Sequence, residues 1–274
     1  MNFGLIIIGD EILSGKRADK HLPKVIELLA ARGLSLAWAR YAGDERERIT
    51  ADLHEALDAA RRGDVVFSCG GIGATPDDHT RQCAARALGV PLALHAEAAE
   101  LIRERMRDVA REQGTPCEPE RPDNLHRLNM GVFPEGARIV PNPYNKIAGF
   151  SLHPGEAGGA VFFVPGFPVM AWPMIEWALD THCKHAQRAV VTSERSVIVF
   201  GAMEAALTPL MEAIEARFDG IKVFSLPSVD HAEWGRHIEL GVKGADAGRL
   251  AAAYGELLAG LRRHDARLGP ELVR

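Results

Sequence analysis

The run Val65-Val66-Phe67-Ser68-Cys69-Gly70-Gly71-Ile72-Gly73-Ala74-Thr75-Pro76-Asp77-Asp78-His79-Thr80 constrains the fold more than any other stretch of the chain. An apolar strand runs into a glycine-rich turn, then an acid pair, then helical spacing. Glycine lets backbone N–H groups come close to a ligand, and the helix start that follows favours anions. Two carboxylates beside a phosphate-sized nest repel phosphate unless a divalent cation lies between them. The segment points to a metal-assisted site for a phosphorylated, nucleotide-like ligand.

Apolar runs at 4–8 and 34–41 read as strands that join the one at 64–68. Helical spacing covers 19–32 (Leu22, Val25, Ile26, Leu29, Ala30) and 45–62, and a further helix is expected to open near Asp77 or Asp78. Strands alternating with helices predict an α/β fold with a mostly parallel sheet covered on both faces. Right-handed crossovers put the turns after Ile8, Tyr41 and Ser68 on the carboxyl edge, where open α/β sheets bind ligands. Asp10, Glu11, Asp44, Asp77 and Asp78 all follow strands, so all could face one crevice.

Downstream, a helix at 96–112 precedes a Pro-rich connection from Thr115 to Asn124. Strands are expected at 138–140, 148–153 and 160–164, then an apolar helix reaching Leu179. The polar stretch 181–194 reads as a boundary. Beyond it the pattern restarts as strand 196–200, helix 203–217, strands 221–225 and 236–242, and helix 246–263. The expectation is two domains, 1–180 and 195–274, the second a small α/β unit of order βαββα with frayed last residues.

At 274 residues the chain has room for both cores, and its net charge of −5 advertises no basic surface for nucleic acid. The apolar start turns polar at Gly9-Asp10-Glu11, too short for a membrane span and unlike a signal peptide, so no membrane and a cytoplasmic location are expected. Cys69, Cys83, Cys117 and Cys183 show neither disulfide nor zinc spacing.

Two nucleotide motifs fail. Five residues separate Gly9 from Gly15 where a P-loop needs four, and Arg17 stands where a hydroxyl must hold magnesium. Gly70-Gly71-Ile72-Gly73 lacks the third glycine of the dinucleotide fingerprint. Asp44, with Glu47 three residues on, fits a capping box as well as a ligand role. Asp77 alone could cap a helix, but a cap needs one acid and Asp77-Asp78 supplies two, with Thr80 adding a hydroxyl. The stretch Asn142-Pro143-Tyr144-Asn145-Lys146 is either a plain turn or part of the pocket rim, where Lys146 would be the counter-charge for a phosphate.

Gly9-Asp10-Glu11-Ile12-Leu13-Ser14-Gly15, Gly43-Asp44, the Gly70–Thr80 segment, Pro134-Glu135-Gly136-Ala137, Asn142-Pro143 and Pro165-Gly166-Phe167-Pro168 occur in that order. Together they resemble the molybdopterin-binding domain of CinA proteins, a domain also found in eukaryotic FAD synthases and related to molybdopterin adenylyltransferases. The resemblance covers residues 3–180, and the C-terminal unit is similar to the small module that follows in CinA-type proteins. It implies a three-layer α/β/α fold with the ligand at the strand ends. It implies Asp44 and Asp78 as catalytic, metal-holding or water-orienting acids, and Gly70, Gly71 and Gly73 as the phosphate cradle. Thr75, Asp77 and Thr80 would support the cradle. A divalent metal (Mg, Mn or Co) is expected, with molybdopterin or a nucleotide as small-molecule ligand and a homo-oligomeric assembly.

The activity the resemblance implies is metal-dependent cleavage of a nucleotide pyrophosphate such as ADP-ribose or FAD. Non-catalytic binding of molybdopterin or a nucleotide is the alternative, and adenylyl transfer to molybdopterin is a third. Ala74 departs from the family's usual proline, which would leave the cradle less rigid. The chain ends at Arg274, before the deamidase domain of full-length CinA, so nicotinamide mononucleotide deamidation is not expected.

Overall fold

A computed structural model describes residues 1–187, 193–264 and 266–274. The chain divides into two compact units, Met1–Gln187 and Arg188–Arg274. Part of the expected boundary stretch 181–194 lies outside the described residues.

The first unit runs β1 (Phe3–Ile8), α1 (Asp10–Leu13), α2 (His21–Ala30), β2 (Leu36–Ala42), α3 (Arg46–Arg61), β3 (Val65–Cys69) and α4 (Thr80–Leu88). It continues with β4 (Leu92–Leu94), α5 (Ala96–Gln113), α6 (Pro122–Arg127), β5 (Val132–Pro134), β6 (Arg138–Val140), β7 (Gly149–Leu152), β8 (Ala160–Val164) and α7 (Pro168–Thr181). A six-stranded sheet has the order β2-β1-β3-β8-β7-β6. Its first four strands are parallel, and β7 and β6 add an antiparallel flank. The strands β1, β3 and β8 are buried along their whole length, as expected for strands covered on both faces.

Alternation along those strands sorts the core into two layers. Leu5, Ile7, Phe67 and Phe162 pack with Val25 and Leu29 of α2 and Met174 and Ile175 of α7. Ile6, Ile8, Val66 and Phe163 pack with Ile49, Leu53 and Leu57 of α3 and Ala84 of α4. Ala98, Ile102, Met106 and Ala110 are buried at four-residue intervals on α5, the spacing of a single helix face. The result is the three-layer α/β/α arrangement, with a mostly parallel central sheet.

Three local expectations need correction. The helix after β3 opens at Thr80, not at the acid pair. Asp78 N donates to Thr75 O at 3.1 Å and Thr80 N to Gly71 O at 3.0 Å, so 75–79 close into a turn first. Within the Pro-rich connection, Pro122 starts the short helix α6, where proline is tolerated because its missing N–H would be unpaired anyway.

The third concerns the C-terminal end. The second unit runs β9 (Ser193–Phe200), α8 (Glu204–Arg217), β10 (Ile221–His231), β11 (Gly235–Gly244), α9 (Ala247–Arg263) and β12 (Arg267–Val273). Instead of fraying, Arg267–Val273 pairs antiparallel with β9 at the edge of a sheet ordered β10-β11-β9-β12, so the unit is βαββαβ. Pro270 sits where the register shifts between Leu268 and Glu271, a position an edge strand permits. Val197, Val199, Leu240 and Val242 pack against Tyr254, Leu257 and Leu261 of α9 and Leu207 and Ile214 of α8. No described helix is long and apolar enough to cross a membrane.

Candidate functional site

Parallel register brings four strand ends level. Ile8 pairs with Ala42, Ile7 with Cys69, and Cys69 with Val164. The segments leaving those ends are Gly9-Asp10-Glu11, Gly43-Asp44, Gly70-Gly71 and Pro165-Gly166-Phe167. Backbone bonds tie them together, with Gly9 N donating to Ala42 O and Gly70 N to Val164 O, both at 3.0 Å. They surround a cavity of about 690 Å³ on the carboxyl edge of the sheet.

One wall of the cavity is the turn after β3. Gly70 and Gly71 have φ of 106° and 68°, conformations that disfavour any side chain. A Cβ on Gly70 would also collide with the Ile8 carbonyl oxygen, and one on Gly71 with the Thr80 hydroxyl. The backbone here has been stripped of side chains so that two strand ends can close together. Thr80 is buried, and its hydroxyl donates to Gly70 O at 3.1 Å, so it locks the turn from behind and does not line the cavity. Buried Arg81 braces the same loop, its Nη2 donating to Gly73 O at 2.6 Å and its Nη1 to the Asn129 carbonyl. Nothing in the sequence singled out Arg81, because its partners are carbonyl oxygens with no sequence signature.

The acids divide by role. Asp78 Oδ2 accepts from Thr75 N at 2.8 Å and from Thr75 Oγ1 at 2.6 Å, closing the turn that carries Asp77 to the cavity mouth. Asp44 does not cap its own helix: Glu45 is the residue before α3, and it makes no side-chain cap bond. Asp44 Oδ2 instead accepts from Asp10 N at 3.0 Å, and Asp10 Oδ1 accepts from Asp44 N at 3.1 Å. This reciprocal pair stitches the start of α1 to the loop after β2. Thr75, Asp77, Asp78, Asp44 and Glu11 all line the cavity, as do Gly70, Gly71 and Gly73.

Burial raises the Asp44 pKa above its ordinary value, and the carboxylates of Asp10, Glu11 and Asp77 push the same way against the Asp10 N–H. The folded chain therefore holds the Asp44 proton longer than the unfolded chain does. Raising the pH through that window removes stability from the protein alone. A divalent cation binds only the ionised carboxylate, so its stabilising effect should grow over the same window. Thermal unfolding with and without Mg²⁺ at about pH 4.5 and about pH 7.5 checks this. The Mg²⁺-induced rise should be larger at the higher pH, and Asp44→Asn should flatten the difference.

Lys146 is not the phosphate counter-charge at this cavity. Its Nζ donates to Glu104 at 2.5 Å and to Asp108 at 2.7 Å, both on α5, and it does not line the cavity. With φ of 65°, it holds the 142–147 loop in a left-handed turn so that Asn145 and Ile147, its neighbours, reach the wall. The cationic side chains at the cavity are Lys16 and Arg17. They sit in the segment that fails as a P-loop, and only the fold brings them to the strand ends. Among the described residues, no three His, Cys, Asp or Glu side chains converge as a metal cage. Two acids with one hydrogen-bonded oxygen each fit a hydrated cation that arrives with phosphate oxygens better than a resident ion.

The family model described as "Probable molybdopterin binding domain" (MoCF_biosynth) matches residues 4–185. A CinA-like protein of Anaeromyxobacter dehalogenans (strain 2CP-C) is 31% identical over 267 residues, 95% of this chain and 60% of that protein. A CinA-like protein of Anaeromyxobacter sp. (strain K) is 33% identical over 169 residues, 62% of this chain and 38% of that protein. The chain thus spans less than two thirds of the length of these relatives. The crystal structure of the protein CinA with unknown function from Thermoplasma acidophilum matches with a TM-score of 0.53 and 22% identity, covering 66% of this chain and 98% of that one. That likeness shows the fold.

Proposed function

The chain belongs to the MoCF_biosynth, molybdopterin-binding-like family over residues 4–185, and on that premise we propose that its cavity hydrolyses a nucleotide pyrophosphate of the ADP-ribose or FAD type with a divalent metal. One observation carries this reading: a glycine anion cradle, the acids Asp44 and Asp78, and the cations Lys16 and Arg17 meet around one cavity. Acids alone would repel the ligand and cations alone would only hold it; both together suit a metal-bridged phosphoanhydride.

Asp44 and Asp78 would hold Mg²⁺, Mn²⁺ or Co²⁺, which neutralises phosphate charge and polarises the phosphoryl group when bound. The backbone N–H groups of Gly71 and Gly73 would donate to phosphate oxygens, with Gly70, whose own N–H is bonded to Val164 O, shaping the turn, and Asp77 and Thr75 at the mouth. In hydrolysis, water adds to one phosphorus, the bridging P–O bond breaks, and its electron pair stays on the departing phosphate. Asp44, beside the cation it would hold, is placed to orient that water, and the proton the water loses passes to solvent. Lys16 and Arg17 offset the charge that develops on the leaving group.

Incubation of the purified protein with ADP-ribose, FAD or ATP, with each metal or with chelator, tests the reading. Cleavage of the anhydride that chelator abolishes is the expected result. Ligand binding without turnover is the second reading, favoured by the lack of a three-ligand metal cluster among the described residues; it requires saturable binding of nucleotide or molybdopterin and no product. A cytoplasmic homo-oligomer belongs to the same proposal, and sedimentation would read its stoichiometry.

A further inference from the structure

The cavity lining is chemically mixed. Beside the acids and the glycine turn, Phe167, Met130, Ile147 and Met170 supply apolar side chains, none of them a ligand for phosphate or for a hard cation such as Mg²⁺. Among them Phe167 stands out, because a large aromatic side chain is 54% exposed while lining a cavity.

The backbone that carries Phe167 is held firmly. It lies between Pro165 and Pro168, and Phe167 O accepts from Met170 N at 3.0 Å and Ala171 N at 2.9 Å as α7 begins. Just before it, the buried His21 ring donates from Nε2 to Gly166 O at 3.0 Å. The exposure of Phe167 therefore does not come from a loose loop. The Arg17 guanidinium lies over one face of the ring at 5.8 Å from the centroid, a cation–π contact at the long end of the range, and the side chain is still half exposed with it there. The side chain of Asn145 also reaches the cavity. Its Oδ1 accepts from Ile147 N at 3.0 Å and its Nδ2 donates only to Met170 Sδ at 3.3 Å, a weak acceptor. That amide can donate to a stronger acceptor without breaking a good bond.

We propose that Phe167 is the stacking platform for the planar heterocycle of the ligand, with Asn145 donating to an acceptor on the ring edge, so that the cavity selects phosphoanhydrides carrying a heterocyclic base over those without one. This rests on the reading of the cavity as a phosphoanhydride site and assigns the part of the ligand that reading leaves open. Bases stack on a fixed aromatic ring with little ordering cost, and the choice among bases then falls to edge contacts such as that of Asn145. Phe167 acts on affinity and selectivity, not on bond cleavage.

Calorimetric titration with ADP-ribose and with inorganic pyrophosphate, each with Mg²⁺, separates recognition of the base from recognition of the phosphates. In the wild-type protein ADP-ribose should bind more tightly than pyrophosphate. Phe167→Ala should weaken ADP-ribose about tenfold and leave pyrophosphate within about twofold. Phe167→Trp should keep ADP-ribose affinity and show fluorescence quenching, beyond that of wild type, with ADP-ribose but not with pyrophosphate. Equal losses for both ligands in Phe167→Ala, or no loss for either, would overturn the assignment. Wild-type protein that binds pyrophosphate as well as ADP-ribose would overturn it while the phosphoanhydride reading stands. Binding of neither ligand would overturn both.

Discussion

Replacing Gly70 by alanine is expected to lower folding stability by about 3 kcal/mol or more, the cost of a forbidden backbone angle plus a steric clash with main chain. The φ of 106° lies outside the ordinary left-handed well, and the oxygen that the new Cβ meets belongs to the backbone of the central strand β1. No side-chain rotation relieves such a contact. Either the turn shifts and breaks the Gly70 N to Val164 O bond, or β1 and β3 separate. Gly89→Ala is the matched control. Gly89 ends α4 with φ of 77° and has open space around its Cβ position, so its replacement should cost only about 1 kcal/mol. Urea midpoints of the two variants read the difference. A similar, small shift for both would mean that the turn after β3 is not held as tightly as its contacts indicate.

Asp78→Asn is expected to reduce metal-dependent turnover, or ligand affinity if the protein only binds, at least tenfold, which corresponds to ~1.4 kcal/mol. The amide retains an oxygen that can accept from Thr75 N and Thr75 Oγ1, so the turn keeps its shape while the charge is lost. Asp78→Ala removes both bonds as well and releases the segment that presents Asp77. It should therefore lose more than the asparagine variant, with part of the additional loss appearing as weaker binding. Metal titrations of both variants separate charge from scaffolding. Full activity and affinity in a folded Asp78→Asn protein would remove Asp78 from the site.

The parallel sheet was legible because its strands announce themselves. Leu5–Ile8 and Val65–Cys69 are nearly continuous apolar runs, the mark of strands buried on both faces. Once three such strands alternate with helices, handedness alone sends Gly9, Gly43 and Gly70 to one edge. Lys146 was misplaced because what it pairs with is a matter of tertiary geometry. Glu104 and Asp108 lie about forty positions earlier, on a helix whose rotation the sequence pattern does not fix. Lys16 and Arg17 were hidden inside a P-loop-like segment that fails on both spacing and the missing hydroxyl, and Phe167 inside what reads as a proline turn. The edge strand Arg267–Val273 escaped because Gly269 and Pro270 interrupt it, which is tolerable only at a sheet edge.

Product analysis by phosphorus NMR, with ADP-ribose and Mg²⁺, for wild-type protein beside Asp44→Asn is the most direct measurement. The expected result is AMP and ribose 5-phosphate accumulating with the wild-type protein, stopping on addition of chelator, and falling at least about tenfold with folded Asp44→Asn. Intact ADP-ribose with wild-type protein at saturating ligand and metal, or equal turnover by the variant, would contradict the assignment of this cavity as a metal-dependent phosphoanhydride hydrolase.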